Sequence, residues 1–221
     1  MARQRLRQED IVRAAIAFID EFGVQSLSMR RLGMSLEVEA MALYNYVSGR
    51  EELVSLAVDE LIDDLFDDEL MQEQPASWEA FVRFVANAMR DLALSHPRMF
   101  PLMITQPPEA PWLRPPLRSV RWVDYFLTTL QDYGFSDERV VDAYKAFTSF
   151  LLGHLVLEVS ALGIDIASEI DDDAGGGESE GLGDYPTLRR LQSMLADDHS
   201  DREFDDGLDD LIERIRATKD A

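Results

Sequence analysis

Residues 27–53 read LSMRRLGMSLEVEAMALYNYVSGREEL, and the fold turns on how that stretch is interpreted. Met29, Leu32 and Leu36 recur at helical spacing, and Ala42 and Leu43 begin a second apolar stripe. Leu36-Glu37-Val38-Glu39 lies between them and is too short for a flexible linker. Two short helices joined so tightly predict a helix-turn-helix, whose second helix can enter a DNA major groove. Ser28 is placed to cap the first helix, and the second is expected over about residues 39–46. Ser48-Gly49-Arg50-Glu51 then reads as a capping box opening a longer helix, with Ser48 as cap and Glu51 at its third position.

Side chains on this unit suit a duplex in different ways. Arg30 and Arg31 stand near a helix start, where they can touch phosphate rather than bases. Glu39, Ala40 and Met41 would face the groove floor. A glutamate there can accept from a cytosine amino group, and Ala40 or Met41 can pack on a thymine methyl. Tyr44 and Tyr46 offer hydroxyls to the backbone, and Arg50 with the adjoining helix-start amides makes a candidate phosphate clamp. Arg3, Arg5 and Arg7 precede the first helix on an arm that can reach along the backbone or into a minor groove.

Upstream, Ile11, Ala15, Phe18, Ile19 and Phe22 give one face of a helix over residues 8–22, stopped at Gly23. Downstream, Leu53, Leu56, Ala57, Leu61 and Leu65 form the inner face of a helix over about residues 50–71. Gln72-Glu73-Gln74-Pro75 reads as a boundary. The organisation expected is therefore all-α. A helix-turn-helix head spans residues 1–49, a connecting helix and boundary residues 50–74, and a helical body for ligand binding and dimerisation residues 75–221.

Helices are expected in that body near 77–95, 98–103, 117–132, 137–162 and 184–197, followed by a final one. That last helix is predicted to open on a second capping box, Ser200-Asp201-Arg202-Glu203, and to bury Phe204, Leu208, Leu211, Ile212 and Ile215. Five prolines between 107 and 116 fix a bend, and residues 165–183, acidic and glycine-rich, are expected to stay disordered. The helix over 137–162 is apolar on nearly every side in its second half. Burial against a second copy is the simplest way to satisfy it, so a homodimer is expected, with the last helix completing a four-helix interface.

Composition narrows the classes. The 221 residues include no cysteine, which excludes a disulfide scaffold and thiolate zinc fingers and suits a reducing compartment. No continuous apolar run reaches the roughly 18 residues that span a bilayer, so a cytoplasmic protein with no membrane partner is expected. The net charge of -22 sits awkwardly with a polyanionic partner. It is graded, however: -3 over residues 1–60, -7 over 61–164 and -12 over 165–221. DNA binding by such a head would rest on a few arginines, helix N-termini and two-fold avidity.

Those same residues carry a resemblance. Leu27-Ser28-Met29-Arg30-Arg31-Leu32, Val38, Ala42-Leu43-Tyr44-Asn45-Tyr46-Val47 and Arg50-Glu51-Glu52-Leu53 are similar to the TetR family of bacterial transcriptional repressors. The match is strong over residues 8–62; residues 80–217 more loosely resemble the tetracycline-repressor-like ligand-binding and dimerisation domain. The resemblance implies an all-helical homodimer that binds a palindromic operator and is released by a small ligand. It places Arg30 at the backbone, Glu39, Ala40 and Met41 toward the bases, and Tyr44, Tyr46 and Arg50 on phosphate. This chain departs from the family pattern at two positions, carrying Gly33 for alanine and Glu37 for glycine. A glutamate in left-handed geometry would cost about 1 kcal/mol, and a glycine inside a helix about the same.

Met89, Phe100, Met103, Trp112, Trp122, Phe126, Phe147, Phe150 and His154 are the candidate lining of an apolar effector cavity between the body's helices. The same residues also suit an ordinary core. His96 and His154 could meet in space, but two distant histidines make no metal site, and neither metal nor cofactor is expected. No phosphate loop, zinc-ligand spacing or nucleophile elbow points to an enzyme. The reading is a ligand-responsive transcriptional regulator, a repressor by family default. The alternative is a helical homodimer that senses ligand or binds a protein partner, its DNA affinity weakened or lost.

Overall fold

The computed structural model describes residues 6–67, 75–107, 109–115, 119–164 and 185–219, with only the backbone of 66 and 67. Among the described residues there are ten α-helices and no strand. Helices α1 (Gln8–Phe22), α2 (Met29–Ser35), α3 (Ala40–Leu43) and the first half of α4 (Arg50–Asp67) build the head. Helices α5 (Trp78–Ser95), α6 (Phe100–Thr105), α7 (Val120–Asp132), α8 (Asp137–Ala161), α9 (Pro186–Ala196) and α10 (Ser200–Lys219) build the body. The expected boundary at 72–74, the acidic 165–183 segment, and Arg3 and Arg5 lie outside the described residues.

The head closes on a small apolar centre. Ile11, Ala15 and Ile19 of α1 are fully buried, as are Leu32, Leu43 and Leu53 from the other helices. Gly23 ends α1 at φ 77, returning its N–H to Ile19 O at 2.7 Å. Phe22, expected inside, is instead 47% exposed. Its ring packs on Phe18 at 4.9 Å and lies 5.8 Å from the guanidinium carbon of Arg31, an amphipathic arrangement that tolerates water on one side. Ser28 caps α2 as expected, accepting from Arg31 N.

The turn between α2 and α3 explains both departures from the family pattern. Glu37 sits at φ 56, in the left-handed region. Its N–H bonds Met34 O at 3.2 Å and the N–H of Val38 bonds Gly33 O at 2.8 Å, the paired bonds of a Schellman stop with glutamate where glycine is usual. A Cβ on Gly33 would stand 2.9 Å from Val38 O and 3.2 Å from Ala40 N. Gly33 is therefore more than a weak helix former, because it admits the incoming strand of backbone that starts α3. Glu37→Gly is expected to stabilise the full-length protein by about 0.5–1 kcal/mol, since strain removed from the folded state exceeds the added freedom of the unfolded one. Urea denaturation checks this; a lower midpoint would mean that the glutamate side chain makes compensating contacts.

Boundaries elsewhere shift by a few residues. α3 is a single turn, and the backbone after Leu43 continues in turns to Tyr46 instead of extending the helix. The carboxylate that caps α4 comes from Glu52, which accepts from Ser48 N, and not from Glu51. At α10, Ser200 is already helical and Asp198 accepts from both its N–H and its hydroxyl, so the predicted Ser200–Glu203 box is replaced by an acidic cap two residues earlier.

In the body, α8 packs against α5, α7 and α10. Phe81, Trp122, Phe126 and Phe147 are fully buried, with Phe126 stacked on Phe147 at 4.9 Å and tilted against Phe81 at 5.5 Å. Polar links tie the body to α4 and to α1 of the head. The indole of Trp122 donates to Ile62 O of α4 at 2.9 Å, satisfying a buried N–H that would otherwise be costly. His96 Nδ1 lies 2.7 Å from Asp20 Oδ2, and Arg98 donates to the carbonyls of Asp20, at 2.9 Å, and of Glu21. The last turn of α1 is thus capped from the body.

Candidate functional site

On the head, the rigid part of the presentation comes from Leu43, fully buried, which pins α3 from behind. Glu39 sits at the helix's N-terminal boundary and is exposed, and Met41 is 72% exposed. Tyr44 follows at 47% exposed. Ala40 is half-buried because its backbone comes up against Gly33, so of the three base-facing candidates it is the one partly turned inward. Tyr46 is half-buried too, and its carbonyl accepts from Gln8 Nε2 at 3.0 Å.

The arginines divide by role. Arg31 folds back, donating to Ser26 O at 2.9 Å with its guanidinium carbon 5.1 Å from the Phe18 ring centroid. Arg30 is exposed and has no ion-pair partner among the described residues, leaving its charge free. Arg50 departs most from expectation. Its Nε donates to Leu27 O at 3.0 Å and its Nη2 to Val24 O at 2.8 Å, so it clasps the α1–α2 connection to α4. The helix-start clamp expected there is also occupied. Glu52 holds the Ser48 N–H, hydrogen bonding to the Ser48 hydroxyl and then to its N–H lowers the Glu52 pKa from its ordinary value, and a second acid, Glu51, shares that first turn. Met34 of α2, 69% exposed, was missed in the sequence because it sits between residues of an apolar stripe.

In the body, the structure divides the nine predicted lining residues between the packed core and the surface. Met89, Phe100, Met103, Trp122, Phe126 and Phe147 are at most 1% exposed and fill the interior with rings and thioethers in contact. Trp112 is 67% exposed. Phe150 and His154 belong to a separate cluster with Phe204 of α10, the His154 ring 5.1 Å from that of Phe204. Open space lies elsewhere. A groove of about 790 Å³ runs between α8 and α10, where Phe150, Lys145 and Arg214 line it; Gly207 makes room there, since its Cβ would stand 2.8 Å from Phe150 Cε2. A second, of about 420 Å³, lies at His154, Glu158, His199 and Glu203, and a third, of about 380 Å³, lies between α4 and α5.

Sequence reasoning also missed a charged knot. Arg90 of α5 donates through Nε to both carboxylate oxygens of Glu158 on α8, at 3.1 and 3.0 Å, and reaches Asp201 of α10. Its guanidinium carbon lies 4.8 Å from the Phe204 ring centroid. Bonding to Glu158 raises the Arg90 pKa above its ordinary value, so the cation is held firmly. A legible signal existed: Glu158 falls seven residues after Leu151 and fourteen after Tyr144, on the buried stripe of α8. His154, one turn before Glu158, has its pKa lowered by burial, and its buried Nε2 has no hydrogen-bond partner. Its Nε2 is 3.6 Å from Glu158 Oε2, too far for a good bond. His96 does not meet His154; it faces Asp20 in the head. Among the described residues no group of three or more potential ligands is arranged to hold a metal.

Comparison with known proteins agrees with this architecture. A family model described as the tetracyclin repressor-like, C-terminal domain matches residues 72–219. An HTH-type transcriptional regulator of Saccharopolyspora erythraea is 29% identical over 154 residues, covering 69% of this chain and 61% of that protein. The class D tetracycline repressor of Escherichia coli is 26% identical over 211 residues, 94% of this chain and 88% of that one. The chain spans only 61% and 52% of the lengths of two curated relatives, the Saccharopolyspora protein and the repressor DrrR1 of Streptomyces coeruleorubidus. Among solved structures, Streptomyces coelicolor ActR in complex with actinorhodin superposes with a TM-score of 0.70 at 25% identity, covering 98% of both chains.

Proposed function

Because the chain belongs to the TetR family of transcriptional regulators, with a tetracycline-repressor-like C-terminal domain, we propose that it is a homodimeric repressor of a palindromic operator. A small, largely apolar effector releases it. The observation that carries this reading is the presentation of Glu39, Met41 and Tyr44 outward from a one-turn helix whose root, Leu43, is fully buried. Side chains presented outward from a pinned backbone suit base edges, because binding then orders little that was loose. Arg30 supplies the free cation at the backbone, whereas Arg50 organises the head from within and reaches DNA through no bond that the fold leaves open on its Nε or Nη2. Two heads would occupy successive major grooves about 34–36 Å apart. Such work on DNA belongs in the cytoplasm.

A gel shift with the gene's own upstream DNA, run across a salt series, tests the proposal. A specific complex is expected, and Arg30→Ala should weaken it on all sequences while lowering the salt slope by about 1 for each phosphate left without its cation. Absence of any specific complex at low salt would overturn the repressor reading. It would favour a ligand-sensing dimer without DNA affinity, which the acidic head with Glu37 and Glu39 exposed on its surface also suits.

A further inference from the structure

We propose that the groove between α4 and α5 binds a small apolar molecule bearing an ammonium group, and that its occupancy reaches the head through His96. What the head then does rests on the reading above; the binding itself does not. The groove has a volume of about 380 Å³, within the range of small-molecule sites. Leu65, Phe84, Ala88 and Leu92 give it an apolar wall, and Asn87, Asp91, Ser95 and His96 supply its polar groups. Residues 84, 88, 91 and 95 share one face of α5, turned well away from the face on which Phe81, Val85 and Met89 enter the aromatic core. This is therefore a different place from the packed interior.

The polar groups select a donor. Asp91 is exposed and has no cationic partner among the described residues. Asn87 spends an amide N–H on Arg83 O at 2.8 Å, leaving its carbonyl oxygen to accept, and Ser95 can accept as well. An ammonium can be accepted by Asp91, the Asn87 carbonyl and the Ser95 hydroxyl together, whereas a carboxylate would be repelled by the unpaired Asp91.

The same His96 that lines the groove bonds Asp20 of α1, and Arg98, two residues on, caps the carbonyls of Asp20 and Glu21. The latch is imperfect, because Asp20 Oδ1 is buried without a hydrogen-bond partner. A buried unmet acceptor raises the energy of the latched state, so a modest difference in ligand affinity between latched and released states suffices to shift the balance.

The test uses the full chain with two probes of one ring and opposite charge, phenethylammonium and phenylacetate. Calorimetry reads binding, and imidazole nitrogen NMR reads His96. Phenethylammonium should saturate wild-type protein and shift the His96 resonances, with affinity at least about tenfold weaker in the isosteric Asp91→Asn and in Ala88→Trp, which fills the groove. Asp20→Ala, which removes the latch partner of His96 and leaves the groove lining untouched, should keep the binding but uncouple it from operator release. Equal binding of phenylacetate, no saturation by phenethylammonium, or unchanged affinity in both groove variants would overturn the site. Binding with a His96 shift, in a protein that holds no DNA, would support the site and sink only the repressor reading.

Discussion

Arg90→Met is expected to lower the unfolding free energy of the full-length protein by about 3–5 kcal/mol, because it strands the Glu158 carboxylate inside the body. The Arg90 side chain is 13% exposed and that of Glu158 8%, so water replaces little of what is lost. The neighbour left behind, His154 at 3.6 Å, is disfavoured as a cation by its own burial and compensates only in part. Glu158→Leu should cost somewhat less, toward about 3 kcal/mol, since Arg90 keeps a bond to Asp201, whose side chain is 92% exposed and whose pairing is therefore well screened. The decisive variant combines Arg90→Met with Glu158→Leu. Two apolar side chains of similar size remove the buried charges together, and most of the stability should return. Urea denaturation at fixed protein concentration reads all three, with the concentration held because subunit association adds to apparent stability. A double variant as unstable as Arg90→Met would show that packing of the arginine stem on Phe204, and not charge, holds α5, α8 and α10 together.

That knot also shows where the sequence ran out. Helical spacing was enough for α1 and α5, whose inner faces are long and regular, and Ser28 caps α2 as a hydroxyl at such a position does. The strained turn was legible too, because a glutamate in place of a turn glycine points to φ above zero, and Glu37 has φ 56. Arg90 and Glu158 stand 68 residues apart, and His96 and Asp20 stand 76 apart. In a chain with 43 acidic residues, only position on a buried stripe separates a structural carboxylate from a solvated one. The ligand region was hard to read for another reason. Phe126 against Phe147 and the rings around them have the composition of a cavity wall, and whether such rings meet or stand apart depends on packing that composition does not record. Arg50 was misjudged because its carbonyl partners, Val24 and Leu27, lie in a connection with no helical pattern to place them.

Leu157→Lys is expected to convert the protein to a monomer and to reduce operator affinity by roughly 10²–10⁴ while leaving the head folded. The reason lies in α8. By length and composition it could cross a bilayer, with mean hydropathy 1.3 over its most apolar window, yet only 39% of that window is buried inside the subunit. Helices α5, α7 and α10 cover part of its circumference, and Glu158 on that covered part is fixed in an ion pair, which suits a protein interior better than lipid. What remains uncovered in its second half is mostly small or apolar: Gly153, Leu157, Ala161 and Leu162 are exposed with Ser160 beside them, Leu157 at 72% and Leu162 at 56%. An exposed greasy face on an otherwise packed helix is best satisfied by its own copy across a two-fold axis, where each such residue meets apolar surface. A lysine at Leu157 would set two charges into that contact without touching the subunit's own core. Sedimentation reads the association and the gel shift reads the affinity. Both should fall together, because the second head then has to be recruited from solution and no longer arrives attached to the first. A dimer that survives Leu157→Lys would move the interface off this face of α8, and an operator complex that survives in a proven monomer would remove two-fold avidity as the means by which so acidic a head holds DNA.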